Sequence, residues 1–370
     1  MIPNLKQQLT RNLLNIPGWK TTRKIVVIES DDWGSIRMPS TDVYEVFLKK
    51  GYDVNKSDYN KLDSLESNDD LIHLYETLNK HRDANHKTPV ITANIIVANP
   101  NFEKIKSSGF MEYHYEHFSQ TLDRYPTHDK VMQLYKEGNT ERLFHPQFHG
   151  REHLNVNRWM KALQNGRDDI RFTFDHETTF SGQEDYNFME ALDWDKPEEI
   201  HDHNKLLEDG LKIFQKTFGY CSKSFIASCY TWSPEVEKIL FKNGIHYLQG
   251  SIFQNLPQGK FNKYKRKYHY LGEKNKHGQR YLVRNCFFEP SLTYRTNWPE
   301  YMLWAVETAF RWHKPAIIST HRINFIGFLN EQNRIKNLNL LDDVLRSIIN
   351  KWPDVEFMTS DELGDLIVGE

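Results

Sequence analysis

Cysteine is nearly missing from this chain. Cys221, Cys229 and Cys286 are scattered through 370 residues and form no CxxC pair. That pattern excludes a disulfide scaffold or a cysteine-rich zinc module and fits a reducing compartment. Long apolar runs are missing too. No stretch reaches the length of about 18 residues that a membrane-spanning helix needs. The opening residues 1–10 hold no continuous apolar core of a secretory signal. The expectation is a soluble, cytoplasmic protein. Neither sign of charge is in excess: 48 Lys+Arg against 50 Asp+Glu leave a net charge of −2. No bulk basic field is available for nucleic acid. Internal repeats and low-complexity tracts are absent as well.

Aromatics are plentiful, with 22 Phe, 18 Tyr and 9 Trp. Most belong in a core, but exposed ones would suit the C–H faces of sugar rings. Leu5, Leu9, Leu13 and Ile16 fall at helical spacing. They predict an N-terminal helix packed on the body and stopped at Pro17-Gly18. Buried strands are predicted at Lys24–Glu29, Val90–Val97, Ser224–Ala227, Ile245–Leu248, Pro315–Ser319 and Val355–Thr359. Helices are predicted over much of 41–82, at Lys205–Phe218, after Ser233-Pro234 with Ser233 as cap, and around 338–349. The Lys-rich stretch 257–280 reads as a solvated loop or hairpin. Residues 101–140, rich in Tyr, His and charge, read as an insertion of the kind that forms lids. Strands alternating with helices indicate an α/β fold. In a parallel barrel the strand ends gather on one face, where a site would lie.

Several chemistry-bearing residues follow those strands. Asp31 and Asp32 sit where the run Ile25–Ile28 ends. Two acids there can divide two jobs, metal ligand and general base, although a helix cap remains an alternative. Successive strand residues point opposite ways, so convergence needs a turn, which Gly34 could supply. His149 and His153 are four apart and would share one face of a helix. His145 extends the series, so two registers compete. His321 follows the strand at 315–319 and titrates near neutrality, as a general acid should. One Asp and two His form a donor set for a catalytic cation that leaves positions open.

In this order the residues resemble the polysaccharide deacetylase family, the NodB-homology or carbohydrate esterase 4 group. Glu29-Ser30-Asp31-Asp32-Trp33-Gly34 is similar to its first motif, TFDDG, which implies Asp31 as general base and Asp32 as metal ligand. His149 and His153 match the histidines of its second motif, with Gly150 replacing Ser or Thr and His145 outside it. Phe225 to Trp232, followed by Ser233-Pro234, resembles the frame of the third. There Tyr230 would offer its backbone N–H to an oxyanion, but the family's arginine, which orients the catalytic Asp, is missing. Arg284 and Arg322 are the candidates to replace it. The fourth motif has only Glu289 as a near match. Ile318-Ser-Thr-His321 is close to the fifth and implies His321 as general acid, with Arg322 beside it. Trp33, Trp232 and His145 complete the candidates for substrate contact or support.

The resemblance implies a distorted seven-stranded (β/α) barrel over residues 20–366, preceded by a helix in 1–19. Insertions fall near 101–140, 155–200 and 252–282. It further implies metal-dependent hydrolysis of an N- or O-acetyl group on a carbohydrate or sugar precursor. The divalent cation would be Zn²⁺ by ligand type, though cobalt or nickel would fit the same donors. The rival readings are a non-catalytic carbohydrate-binding protein on the same fold and a hydrolase of non-sugar amide C–N bonds.

Overall fold

The computed structural model describes residues 5–183, 186–292, 295 and 297–369, with side chains from residue 8 onward. Thirteen strands are assigned among these residues. They are β1 (Lys24–Trp33), β2 (Ile91–Ile96), β3 (Ala98–Pro100), β4 (Tyr115–His117), β5 (Phe144–Gly150), β6 (Ser224–Ile226), β7 (Tyr247–Gly250), β8 (Phe253–Pro257), β9 (Tyr264–Tyr268), β10 (Arg280–Val283), β11 (Cys286–Phe287), β12 (Ala316–His321) and β13 (Val355–Met358). Nine form one sheet in the order β10-β7-β6-β5-β2-β1-β12-β11, with β13 paired to β1. Every pairing within it is parallel. Seven strands were expected. The difference lies in short additions: β11 has 2 residues, and β13 covers only Lys24–Val27 of β1.

Only Arg284 and Asn285 separate β10, at one end of the sheet, from β11 at the other. The Arg284 N–H donates to the Gly250 carbonyl (2.9 Å), and the Asn285 N–H donates to that of Ile317 (3.1 Å). The sheet therefore curls into a (β/α) barrel whose ends meet across this dipeptide.

The inside of the barrel is layered because a strand's side chains alternate. Ile25 and Val27 face inward and pack with Leu282, Ile317, Leu363 and Ile367. The last two come from the C-terminal helix Ser360–Gly369, which contacts β1, β7 and β10 and so fills one end of the barrel. Val26 and Ile28 face outward into the main core. Each such burial is worth roughly 1.5–3 kcal/mol, so a one-residue slip of β1 is strongly opposed. One layer further along, the inward residues turn polar. Glu29, Thr92, Gln147, Ser224, Gln249 and Ser319 are fully buried and joined by hydrogen bonds. The next layer carries Asp31, His149 and His321.

Other expectations are corrected. The helix Leu5–Leu14 forms, but Leu9 and Leu13 point outward, at 56% and 63% exposure. Arg11 turns inward instead, donating to the Asn285 carbonyl and the Tyr301 hydroxyl beside the ring of Trp304. A carbonyl and aromatic faces make a seat for a guanidinium that leucine could not use. The Leu5 side chain lies outside the described residues. Ser233 does not cap its helix; its hydroxyl accepts from Trp194 Nε1 at 2.7 Å. The lid expected in 101–140 is instead packed down: Phe118, Val131 and Tyr135 are buried in the core. The hairpin expected in 257–280 starts earlier: β8 (Phe253–Pro257) pairs with β9 inside that stretch, which then runs into β10 of the barrel.

Candidate metal centre

Asp31 and Asp32 converge through the backbone of β1 itself. Between Ser30 and Trp33 its register to β2 gains one residue, a β-bulge. Asp32 occupies that kink at φ +78°, a left-handed conformation that costs a non-glycine residue about 1–3 kcal/mol. The turn expected of Gly34 alone, also at positive φ, thus begins two residues earlier. The bulge returns Trp33 to the outer face, where it is buried against Phe144 with its Nε1 donating to Ser30 Oγ. Trp232 is buried too, with its Nε1 on Glu237. Neither tryptophan lines the cavity, so neither contacts substrate from there.

His149 is the next-to-last residue of β5, and His153 follows in the turn beyond it. The pair therefore does not share a helix face. Their Nε2 atoms each stand 3.4 Å from Asp32 Oδ1. The ligand-type atoms of Asp32, His149 and His153 all lie within 4.8 Å of one another, and all three residues are buried. His149 Nδ1 donates to the Ile226 carbonyl at 2.9 Å, which orients the ring and turns Nε2 toward Asp32. Burial pushes His153 down to about 3, only partly opposed by Asp32, so its imidazole stays neutral. A carboxylate and two imidazoles turned toward one point fit a divalent cation. His145 shares the inward face of β5 but sits four residues, roughly 13 Å, nearer the other end. There it pairs with Asp361 (3.2 Å) and Asn139, which removes it from the site.

Asp31 is held differently. Arg284, projecting from the barrel seam, donates Nη1 to Oδ2 and Nη2 to Oδ1, both at 2.7 Å. Asn94 adds a donor to Oδ1 at 2.7 Å. Burial alone would raise this carboxyl, but Arg284 outweighs it and holds Asp31 at about 2. The same guanidinium donates Nε to Glu29 at 2.6 Å. Arg322 is elsewhere: it pairs with Asp63 and Glu66 and does not reach Asp31.

His321 Nε2 stands 3.8 Å from Asp31 Oδ2. Its Nδ1 pairs with Glu289 Oε1 at 2.7 Å, while Asn324 donates to the other Glu289 oxygen. Burial works against the imidazolium, yet Glu289 and then Asp32 and Asp31 outweigh it and raise His321 to about 9. Tyr230 lines the cavity, and its hydroxyl accepts from Arg284 Nη1 at 3.3 Å. Its backbone N–H, expected to face an oxyanion, instead donates to the Ala227 carbonyl at 3.0 Å in a 3₁₀ turn.

These groups floor a cavity of about 250 Å³. Its walls come from Ser57, Tyr59 and Asn60 and from Thr178, Phe180, Gln183 and Met189. Sequence reasoning missed Arg37, Glu29, Asn94 and Tyr59. Glu29 and Asn94 did carry a signal, since a lone polar residue inside an apolar strand needs a buried partner.

No family model matches this chain, and no curated protein does either. Solved structures do. A putative glycoside hydrolase/deacetylase from Parabacteroides distasonis is similar at 10% identity, TM-score 0.51, covering 95% of this chain and 72% of that one. A putative polysaccharide deacetylase from Mycobacterium smegmatis follows at 9% identity and TM-score 0.46, covering 95% and 93%. A 4-alpha-glucanotransferase from Thermococcus litoralis matches at 11% identity and TM-score 0.43, covering 92% of this chain but 40% of that one. At 10% identity the Parabacteroides likeness establishes a shared fold alone, the curled (β/α) barrel.

Proposed function

We propose that this chain is a member of the polysaccharide deacetylase family, a metal-dependent hydrolase that removes N- or O-acetyl groups from a carbohydrate. One observation carries the reading. Three ligand-type side chains, an arginine-clamped carboxylate and a carboxylate-paired histidine converge on the floor of one cavity. The shared fold with the Parabacteroides structure supports it. So do the walls, whose hydroxyls, amides and aromatic rings suit sugar hydroxyls and ring faces.

Asp32, His149 and His153 would hold the cation, with Zn²⁺ suggested by the donors. When bound it supplies Lewis-acid polarisation of a carbonyl and a more acidic water. Asp31, ionised and aimed by Arg284, takes the proton of the attacking water. Oδ2 is the oxygen for this, since Oδ1 already accepts from two donors. His321, protonated at neutral pH through Glu289, stands 3.8 Å from that oxygen and delivers a proton to the leaving amine or alcohol.

The commitment of the Tyr230 N–H to Ala227 favours one rival, a carbohydrate-binding protein that has lost turnover. Acetate release from a panel of N- and O-acetylated sugars, with Zn²⁺ or Co²⁺ supplied, separates the two. Asp31→Asn should keep the metal and lower kcat by on the order of 10²–10⁴. Metal uptake with no acetate released from any sugar would leave the binding protein.

A further inference from the structure

We infer that Arg37 is the positioning residue that makes Asp32 a one-oxygen ligand, held in that role by Asp63 and Arg322. The inference rests on reading Asp32, His149 and His153 as a metal site. Asp32 offers two oxygens. Oδ1 faces the two imidazoles, while Oδ2 accepts from Arg37 Nη2 at 2.9 Å. The side chains are 4% and 16% exposed, so water competes little for that pair. A cation reaching for both oxygens would have to displace the guanidinium.

Arg37 is itself fixed from several sides. Its Nε lies 3.2 Å from Asp63 Oδ2, an ion pair by distance whose N–H is not aligned for a hydrogen bond. Its Nη1 meets Met189 Sδ at 3.0 Å, and its guanidinium carbon is 5.4 Å from the Tyr59 ring centroid. Asp63 is fully buried and takes two bonds from Arg322, at 3.1 and 3.2 Å. Arg322 donates in turn to Glu66 at 2.9 Å. The charges alternate along Glu66, Arg322, Asp63, Arg37 and Asp32. Three carboxylates against two guanidiniums leave one negative charge. The oxygen of this ladder that lacks an arginine and faces the site is Asp32 Oδ1.

The neighbouring acid supplies the contrast. Arg284 donates to both oxygens of Asp31, so Asp31 has no arginine-free oxygen of the kind that Asp32 turns to the site. Two adjacent carboxylates of the same chemistry are thus told apart by how many oxygens an arginine covers. None of this follows from the two histidines, which would accept either binding mode of Asp32.

The test is the visible spectrum of Co²⁺ bound to the full chain, since d–d band intensity falls as coordination number rises. Arg37→Gln should still bind one Co²⁺ but lose band intensity, as Oδ2 joins the metal. Asp63→Asn, which loosens Arg37, should shift the spectrum the same way by less. Should Arg37→Gln lack a cooperative melt, Arg37→Lys carries the test. It keeps the charge but lacks the planar fork that presents separate nitrogens to Asp32 and Asp63, and loss of intensity is again expected. An unchanged spectrum in the variant that folds overturns the role of Arg37 and leaves the metal site standing. A wild-type chain that takes up no Co²⁺ removes the metal site and this role together.

Discussion

Arg284→Met takes away the cation that stands between Glu29 and Asp31. The side chains of Arg284, Glu29 and Asp31 are 0%, 0% and 6% exposed, so neither acid can turn to water. Removing one partner of a buried ion pair costs about 3–5 kcal/mol. Unfolding entropy near ~2.1 cal/mol/K per residue gives roughly 0.8 kcal/mol/K for a chain this long, so the Tm should fall by about 4–6 °C. The pH dependence has a definite sign. Asp31 is held at about 2 against an ordinary 3.8, so its contribution is present above 3.8 and lost as pH falls toward 2. That contribution is roughly 2–3 kcal/mol. Glu29 behaves oppositely. Burial outweighs Arg284 and raises its carboxyl, so its charged form is a burden that acid relieves. In the variant both acids are buried without their cation, so acid relieves them more than it does in wild type. Below pH 3.8 wild type also loses the Asp31 contribution; the gap is therefore widest near neutrality and narrower on acidification. Thermal melts of chelator-treated protein at pH 7 and at pH 4 measure it. A Tm within about 1 °C of wild type at pH 7, or a gap that does not narrow by pH 4, would refute the reasoning.

Two further outcomes concern the histidines. His149→Ala should abolish metal stoichiometry and His145→Ala should preserve it, as read by metal analysis after dialysis; equal loss in both would move the ligand set toward the other end of β5. Glu289→Gln removes the carboxylate that raises His321, so the alkaline limb of the kcat/KM profile should move to lower pH. An alkaline limb left in place would assign it to another group.

Part of the barrel was readable because some of its strands carry aliphatic runs, whereas β5, Phe-His-Pro-Gln-Phe-His-Gly, was not among the predicted strands. Ile25–Ile28 and Ala316–Ile318 are aliphatic throughout, and Ile91–Ile96 is apolar apart from Thr92 and Asn94, so all three read as buried strands, and helices between them favour parallel pairing. What could not be read is where polar residues inside those runs would meet. Glu29 and Ser360 are 331 residues apart and share a hydrogen bond, and so do Asn94 and Gln249, 155 apart. Periodicity reports which face a residue occupies, not which strand lies opposite. The N-terminal helix misled for a different reason. Spacing identifies a stripe of leucines, but a buried carbonyl and three aromatic rings near Arg11 decide which side faces the body.

The departures from the family pattern have unequal weight, and barrel geometry explains why. An arginine that orients a carboxylate acts through its side chain, and every strand of a barrel points its last residues at the same axis. The guanidinium can therefore come from any strand end. Here it comes from Arg284 at the seam, and the ion pair with Asp31 is complete without an arginine in the Phe225–Trp232 segment. A backbone N–H cannot be exchanged in this way, because its direction belongs to the turn that carries it. At Tyr230 that turn spends the N–H on Ala227. Oxyanion stabilisation by that group requires the Ala227–Tyr230 turn to open by one hydrogen bond, whereas the aim of Asp31 requires no rearrangement. A loss of turnover in this chain would accordingly trace to residues 227–231 rather than to the absent arginine. An open turn in a structure with a tetrahedral inhibitor bound would supply the oxyanion donor that the proposed reaction lacks here.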